Sequence, residues 1–419
     1  MTTDKMQHLS SQDGEIVPRL RFPKFRDAAE WEEKRLSDLG TLVSGLTYSP
    51  TDVRERGLLV LRSSNIQNDE ISLDDCVYVR SDVNGANLTQ PDDILICVRN
   101  GSKSLIGKNA IVPKGMPACT HGAFMTVFRA PASHFVRVLL QTTAYKKQVA
   151  ADLGATINSI NGGQLLKYRF AVPKPAEQQK IADCFDSLDD LIAAESRKLE
   201  ALRRHKQGLM QQLFPQKGRA VPRLRFPEFR DKGEWEERNA GSLFVNRVNK
   251  GEEGLPIYSV TMHDGMVRRD SLSRNYHDIE EAAGNRKACK NDIAYNMMRM
   301  WQGALGVAPE DCLVSPAYIV LAPQKYVVSR FFEYLFKLPA SMLLLTSYSR
   351  GLNKDRLRLY YDDFARIPLR CPSEPEQKRI ADCLFSLDTH IAGQARKLDT
   401  LKQHKQGLLL QLFPSSEGR

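Results

Sequence analysis

Two groups of guanidinium, amide, hydroxyl and aromatic side chains carry the chemistry this sequence could perform. The first is Arg62, Ser63, Asn65, Arg99, Asn100, Ser102, Lys103 and Asn158. The second is Tyr258, Arg268, Arg299, Trp301, Asn353, Lys354 and Arg356. These types suit recognition rather than bond-making: Arg and Lys donate to acceptors and anions, Asn both donates and accepts, and any of them holds a phosphate. Arg99 and Arg299 close corresponding strand-like stretches, Asp93–Arg99 and Asp292–Arg299. Each fits a ligand contact or a structural ion pair. For any single Arg or Lys, a phosphate contact or a solvated charge is the plainer reading, and Trp301 would also suit a core.

Bond-making chemistry finds little support. There is no Asn-Pro-Pro-aromatic box for an amino-methyltransferase and no GxGxxG. Gly101-Ser-Lys-Ser-Leu-Ile-Gly107-Lys108 resembles a phosphate loop, but a P-loop has one residue fewer between its glycines and Ser or Thr where Asn109 stands. The eight cysteines form no CxxC pair and no zinc spacing, so they read as small apolar residues in a reducing compartment. Cys184 and Cys383 fall at equivalent places. With 60 basic and 50 acidic side chains the net charge is +10, which favours a polyanionic partner. No apolar run is long enough to span a membrane, and the polar first sixteen residues lack a signal core. A cytoplasmic protein with a disordered N-terminal tail is expected.

The recognition side chains need a scaffold. Ile181, Phe185, Leu188, Ile192, Glu195, Leu199, Leu202, Lys206, Leu209 and Leu213 step alternately by four and three residues, and eight of the ten are apolar. That period, about 3.5 residues, is a coiled-coil seam rather than the broader stripe of a surface helix. Pro215 stops it. Adding 199 gives Ile380, Leu384, Leu387, Ile391, Gln394, Leu398, Leu401, Lys405, Leu408 and Leu412, with Pro414 as the stop. Between Glu177–Pro215 and Glu376–Pro414, 24 of 39 residues are identical, including surface positions such as Arg197/Arg396, Lys198/Lys397 and His205/His404. Two equivalent seams predict two long helices zipped together; burial of each against its own domain is the alternative. Ser373 and Glu376 read as a capping box for the second helix, and Lys174 stands where the first would have one. Lys206 and Lys405 interrupt the seam, which predicts a register role, with Glu195 or Gln394 as partners.

A second repeat, at an offset of 204, relates Val17-Pro-Arg-Leu-Arg-Phe-Pro23, Phe25–Asp27 and Glu30–Glu33 to Val221–Pro227, Phe229–Asp231 and Glu234–Glu237. The chain is therefore built twice: lead-in, body, long helix. The bodies differ in sequence but correspond in pattern. Leu58–Arg62 matches Leu255–Ser259, and Ala123–Phe128 matches Ala317–Leu321, as strands. Ser133–Leu140 matches Ser329–Phe336 as a serine-capped helix, and Tyr168–Val172 matches Phe364–Leu369 as a closing strand. The predicted fold class is α+β: two similar globular α/β bodies separated by a pair of long antiparallel coiled-coil helices, in a pseudo-two-fold repeat. The predicted parts are a tail at 1–16, bodies at 17–173 and 217–372, helices at 174–216 and 373–414, and a tail at 415–419. Identical scaffolds bearing different bodies suit recognition of two different things at a fixed separation.

The Pro-Arg-Leu-Arg-Phe-Pro lead-ins, the Glu-Gln-x-x-Ile-Ala-Asp helix starts and the His-Lys-Gln-Gly-Leu…Gln-Leu-Phe-Pro helix ends resemble the specificity subunit of type I restriction-modification systems, from Val17 to Pro414. The resemblance implies a non-catalytic subunit whose bodies are target recognition domains, each reading half of a split, asymmetric site in double-stranded DNA. The helix pair would set the gap and dock two modification subunits that methylate adenine N6. S-adenosylmethionine, ATP and Mg would be bound by the modification and restriction subunits, none by this chain. The assembly would be an adenine-specific methyltransferase and ATP-dependent endonuclease. The basic helix residues Arg197, Lys198, Arg203, Arg204, His205, Arg396, Lys397, Lys402 and His404 would face solvent, the intervening DNA or the modification subunits. A stand-alone DNA-binding regulator, an enzyme with its own site and a coiled-coil scaffold are the competing readings.

Overall fold

The computed structural model describes residues 16–153, 158–216, 218–262, 264–272, 282–353 and 356–414. Of the expected tails, at 1–16 and 415–419, residues 1–15 and 415–419 lie outside the described residues, as does the candidate Lys354, whereas Ile16 is half-buried against the first core. The chain divides into two compact units, one of residues 1–196 with 397–419 and one of 197–396. Both long helices, Pro175–Leu213 and Glu374–Leu412, are therefore shared between units near their midpoints.

In the first unit an antiparallel sheet runs Thr41–Ser44, Met125–Arg129, Ile94–Cys97, Asn109–Ile111. Its strand Ile94–Cys97 is buried along its whole length. Alternate side chains of a strand point to opposite faces. Ile94 and Ile96 accordingly join a core with helix Ser133–Leu139, while Leu95 and Cys97 join a second core with Leu59, Leu61 and Cys119 of a mixed sheet. The second unit repeats the antiparallel sheet in the same order: Phe244–Asn246, Tyr318–Pro323, Ile293–Asn296, Leu305–Val307. Ile293 and Tyr295 face one core and Ala294 the other. Each body closes with a two-stranded ladder, Glu32–Arg35 with Arg169–Val172 and Glu236–Asn239 with Pro368–Cys371. Phe364 ends a short helix, Tyr361–Phe364, so the second closing strand starts later than the sequence pattern indicates. Where the bodies differ, the first builds a four-stranded mixed sheet and the second two separate two-stranded ladders.

Each core also takes in the end of the other repeat's helix. In the first unit Ile181, Ala182 and Phe185 pack with Leu409, Leu412 and Phe413, and Phe413 meets Trp31 edge-on at 5.7 Å. In the second, Ile380, Ala381 and Leu384 pack with Leu213 and Phe214, and Phe214 meets Trp235 at 6.2 Å. The seam residues Leu188, Ile192, Leu199, Leu202, Leu209, Leu387, Ile391, Leu398, Leu401 and Leu408 are all buried or half-buried.

Within the first unit, Asp189 pairs with Lys405 and Glu195 with Lys397, so the two helix segments there run antiparallel. Within the second, Lys206 reaches Asp388, which also accepts the Tyr334 hydroxyl at 2.6 Å. The seam lysines thus meet the equivalent aspartates Asp388 and Asp189, not Glu195 or Gln394. A lysine stem is long enough to carry its charge past an apolar seam to the flanking carboxylate.

Three expected caps do not form. The capping positions before the two body helices are Ala132 and Val328, and the serines fall inside. The Glu376 carboxylate does not reach back to Ser373; it accepts two hydrogen bonds from Arg225, each at 2.7 Å. Arg21 holds Glu177 the same way, at 2.8 and 2.7 Å. A buried bidentate arginine outcompetes a solvent-side cap. This clamp fixes each lead-in to the start of its long helix and explains part of the repeated lead-in sequence.

Candidate nucleic-acid interface

In the first body, three chain segments meet where the strands Leu58–Leu61 and Ile94–Cys97 end. Gly122 N donates to Leu61 O at 3.0 Å, and Ile160 N donates to Val98 O at 2.8 Å. Asn100 Nδ2 donates to Ser63 Oγ at 2.9 Å and Asn100 N to Asn158 O at 3.4 Å. Asn158 Nδ2 donates to Gly101 O at 3.3 Å. Seven of the eight first-body candidates, Arg62, Ser63, Arg99, Asn100, Ser102, Lys103 and Asn158, stand on this rim at the surface or half-buried.

Asn65 does not stand with them. It is fully buried, its Oδ1 accepts from Arg62 N at 2.8 Å, and its amide donates to Ser72 O and Asp75 O. Its hydrogen-bonding capacity is spent on shaping the loop. Arg62 pairs with Asp75 at 2.7 Å. Lys103 Nζ lies 3.4 Å from Leu153 O, and Ser102 Oγ 2.9 Å from Ser104 Oγ.

The second body builds the same rim. Leu359 N donates to Met297 O at 2.9 Å, as Ile160 does to Val98, and Arg350 pairs with Arg358 across the loop that carries Asn353 and Arg356. Arg299, Asn353 and Arg356 are exposed; Trp301 is half-buried, its indole donating to Met298 O at 3.2 Å. Tyr258 and Arg268 lie opposite each other on a separate ladder. Tyr258 is a core residue, 6% exposed, with its hydroxyl on Glu310 at 2.8 Å and its pKa pushed up to about 12, first by burial and then by that carboxylate. It offers nothing to an external ligand. Arg268 is exposed and 3.3 Å from Asp270.

Arg99 and Arg299 have no carboxylate partner among the described residues. The structural arginines are elsewhere: Arg129 pairs with Asp93 at 2.7 Å and Arg247 with Asp292 at 2.6 Å, at the opposite, N-terminal ends of the same two strands. Burial raises the Asp292 pKa although Arg247 pulls it down. Each central strand thus carries a neutralised ion pair at its start and an uncompensated cation just past its end. The Arg99 guanidinium lies 5.7 Å over the ring of Phe124, which is 58% exposed. Phe124 falls outside the sequence-based candidates because Ala123–Phe128 reads as strand throughout; Gly122 was the available sign of a turn.

The glycine-rich stretch makes no phosphate loop. Lys103–Leu105 is a single tight turn, Gly107 adopts φ +87°, and the chain continues into strand Asn109–Ile111. A P-loop aims its amides from a helix N-terminus, which is missing here. All eight cysteines are unpaired, with Cys97, Cys119, Cys312 and Cys371 buried. Among the described residues no helix is long and apolar enough to cross a membrane, and no group of His, Cys, Asp and Glu is arranged to hold a metal.

Residues 28–204 match the family described as type I restriction modification DNA specificity domain. The chain is 25% identical over 288 residues to the type I restriction enzyme StySPI specificity subunit of Salmonella potsdam, covering 62% of this chain and 57% of that protein. It is 30% identical over 168 residues to the EcoKI specificity subunit of Escherichia coli K12, covering 38% and 36%. The aligned part is thus little over half of the first relative's length and about a third of the second's. In fold, it resembles the crystal structure of the type I restriction-modification S subunit from M. genitalium, with a TM-score of 0.61 at 15% identity over 96% of this chain and 100% of that one.

Proposed function

We propose, on the premise that this chain belongs to the family of type I restriction-modification specificity subunits, that it reads a bipartite, asymmetric sequence in double-stranded DNA and performs no chemistry itself. Residues 17–173 and 217–372 are the two target recognition domains. The helices within 174–216 and 373–414 pair antiparallel along their length, set the unread gap and dock two modification subunits. Those subunits methylate adenine N6 with S-adenosylmethionine, and restriction subunits add ATP- and Mg-dependent cleavage, all in the cytoplasm.

The observation that carries this reading is the duplicated rim. The same sheet order is followed twice, just past the end of its central strand, by an exposed arginine with no carboxylate partner among the described residues, while the loops differ in sequence. Two unlike readers on one scaffold address two unlike half-sites. A helix of 39 residues rises roughly 58 Å, longer than one turn of DNA, ~34–36 Å. The arginines, lysines and asparagines divide between phosphate and base contacts.

Long-read sequencing of methylated adenines in the host tests the proposal. A bipartite motif with two unlike halves should be present, and it should vanish when this gene is deleted. A methylome unchanged by the deletion would refute it.

A further inference from the structure

We propose that Phe124 is the apolar reader of the first recognition body, contacting the 5-methyl group of a thymine in one half-site while holding Arg99 beside it. The inference rests on the DNA-reading function and names a residue of that same rim.

Phe124 stands at the apex of a tight turn between strands Cys119–His121 and Met125–Arg129, closed by Met125 N donating to Gly122 O at 2.8 Å. Its own carbonyl accepts both Val98 N at 3.0 Å and Arg99 N at 3.1 Å, so the backbone is fixed to the strand end that carries Arg99. The ring belongs to no core cluster among the described residues, although Met125 beside it is 2% exposed. A single exposed apolar side chain is ordinary on a protein surface. This one is held on a tight turn beside Arg99, next to Asn100, Ser63 and Asn158, which are joined by hydrogen bonds.

The contact geometry selects the ligand. An apolar side chain meets DNA bases either as a wedge between base pairs or against a thymine methyl in the major groove. A wedge needs both ring faces. Here the Arg99 guanidinium lies over one face at 5.7 Å, leaving the other face and the edge. One-sided contact with a methyl group fits that exposure. The ring also keeps the guanidinium beside the contacted base, and a planar donor fork matches a guanine edge or a phosphate.

The test uses the full chain with its modification subunits and a duplex carrying its methylated site. Each thymine of both half-sites is replaced in turn by uracil, which lacks only the methyl group. Wild-type binding should weaken about fourfold at one position of one half-site, the effect of one buried methyl-sized group. Phe124→Ala should bind the thymine duplex correspondingly less tightly and no longer distinguish thymine from uracil there, with the other half-site unaffected. Phe124→Leu should keep part of the discrimination, and it carries the test if the alanine variant does not fold. Discrimination retained at every position by the variant, or absent at every position in the wild type, overturns the inference. Wild-type protein that binds no particular sequence would instead refute the DNA-reading function on which the inference stands.

Discussion

Removing the Glu376 carboxylate should loosen the second unit by a predictable amount. Glu376 is 1% exposed and Arg225 10%, with two bonds between them at 2.7 Å, and Trp235 Nε1 lies 3.4 Å from the same carboxylate. Truncating one partner of a buried pair leaves the other charge uncompensated, which costs about 3–5 kcal/mol. Arg225 keeps the carbonyls of Lys232 and Gly233, so the low end, about 3 kcal/mol, is expected for Glu376→Ala. With a urea dependence of about 3 kcal/mol per molar for a unit of this size, the unfolding midpoint should fall by about 1 M. Replacing both partners, Arg225→Met with Glu376→Leu, should recover most of the loss, because an apolar pair of similar volume carries no desolvation penalty. Far-UV circular dichroism along a urea series measures both variants. A shift below about 0.3 M for Glu376→Ala would refute the idea that the carboxylate clamps the lead-in to the helix. A double variant as unstable as the single one would show that the lost stability did not come from a stranded charge.

Three further outcomes follow from the same geometry. Lys405 and Asp189 are 11% and 24% exposed, Lys206 and Asp388 23% and 37%, so Lys405→Leu should destabilise more, by about 1–2 kcal/mol, than Lys206→Leu, at under about 1 kcal/mol; equal losses on denaturation would count against a difference set by burial. His121 is fully buried with Nε2 at 3.0 Å from Val43 O, and burial pushes its pKa down. The unfolded chain therefore binds a proton first, stability is full above a pH of about 6.5 and falls as pH drops toward the depressed folded value; melting of His121→Gln between pH 7.5 and 5.5 should show a flatter dependence than wild type, and an unchanged slope would assign the effect elsewhere. Deleting seven residues at matching places in both long helices shortens each by about 10 Å and should shorten the gap in the methylated motif while both half-sites stay readable; an unchanged gap would rule out the helices as the ruler.

The sequence alone determined the duplication, the seam and the buried strands such as Ile94–Cys97; the stretch Leu255–Ser259 is strand only from Tyr258, and Phe364 is helical. Each rests on a short-range regularity: an identity at fixed offset, a 3.5-residue period, or an apolar run such as Ile94–Cys97 bounded by polar residues. The first helix starts at Pro175, inside the expected 174–216, because proline is tolerated in a helix's first turn. What periodicity cannot name is the partner across space. Only the tertiary structure decided that Leu412 and Phe413 enter the first body's core beside Trp31, that the Glu376 carboxylate serves Arg225 rather than a cap, and that Lys405 meets Asp189. The same limit separates the candidate readers. Arg99 and Asn65 look equally available in sequence, yet one ends on a rim and the other folds inward onto three backbone groups. Local pattern says which face of an element is apolar; burial and hydrogen-bond competition among distant segments decide which polar groups remain for a ligand.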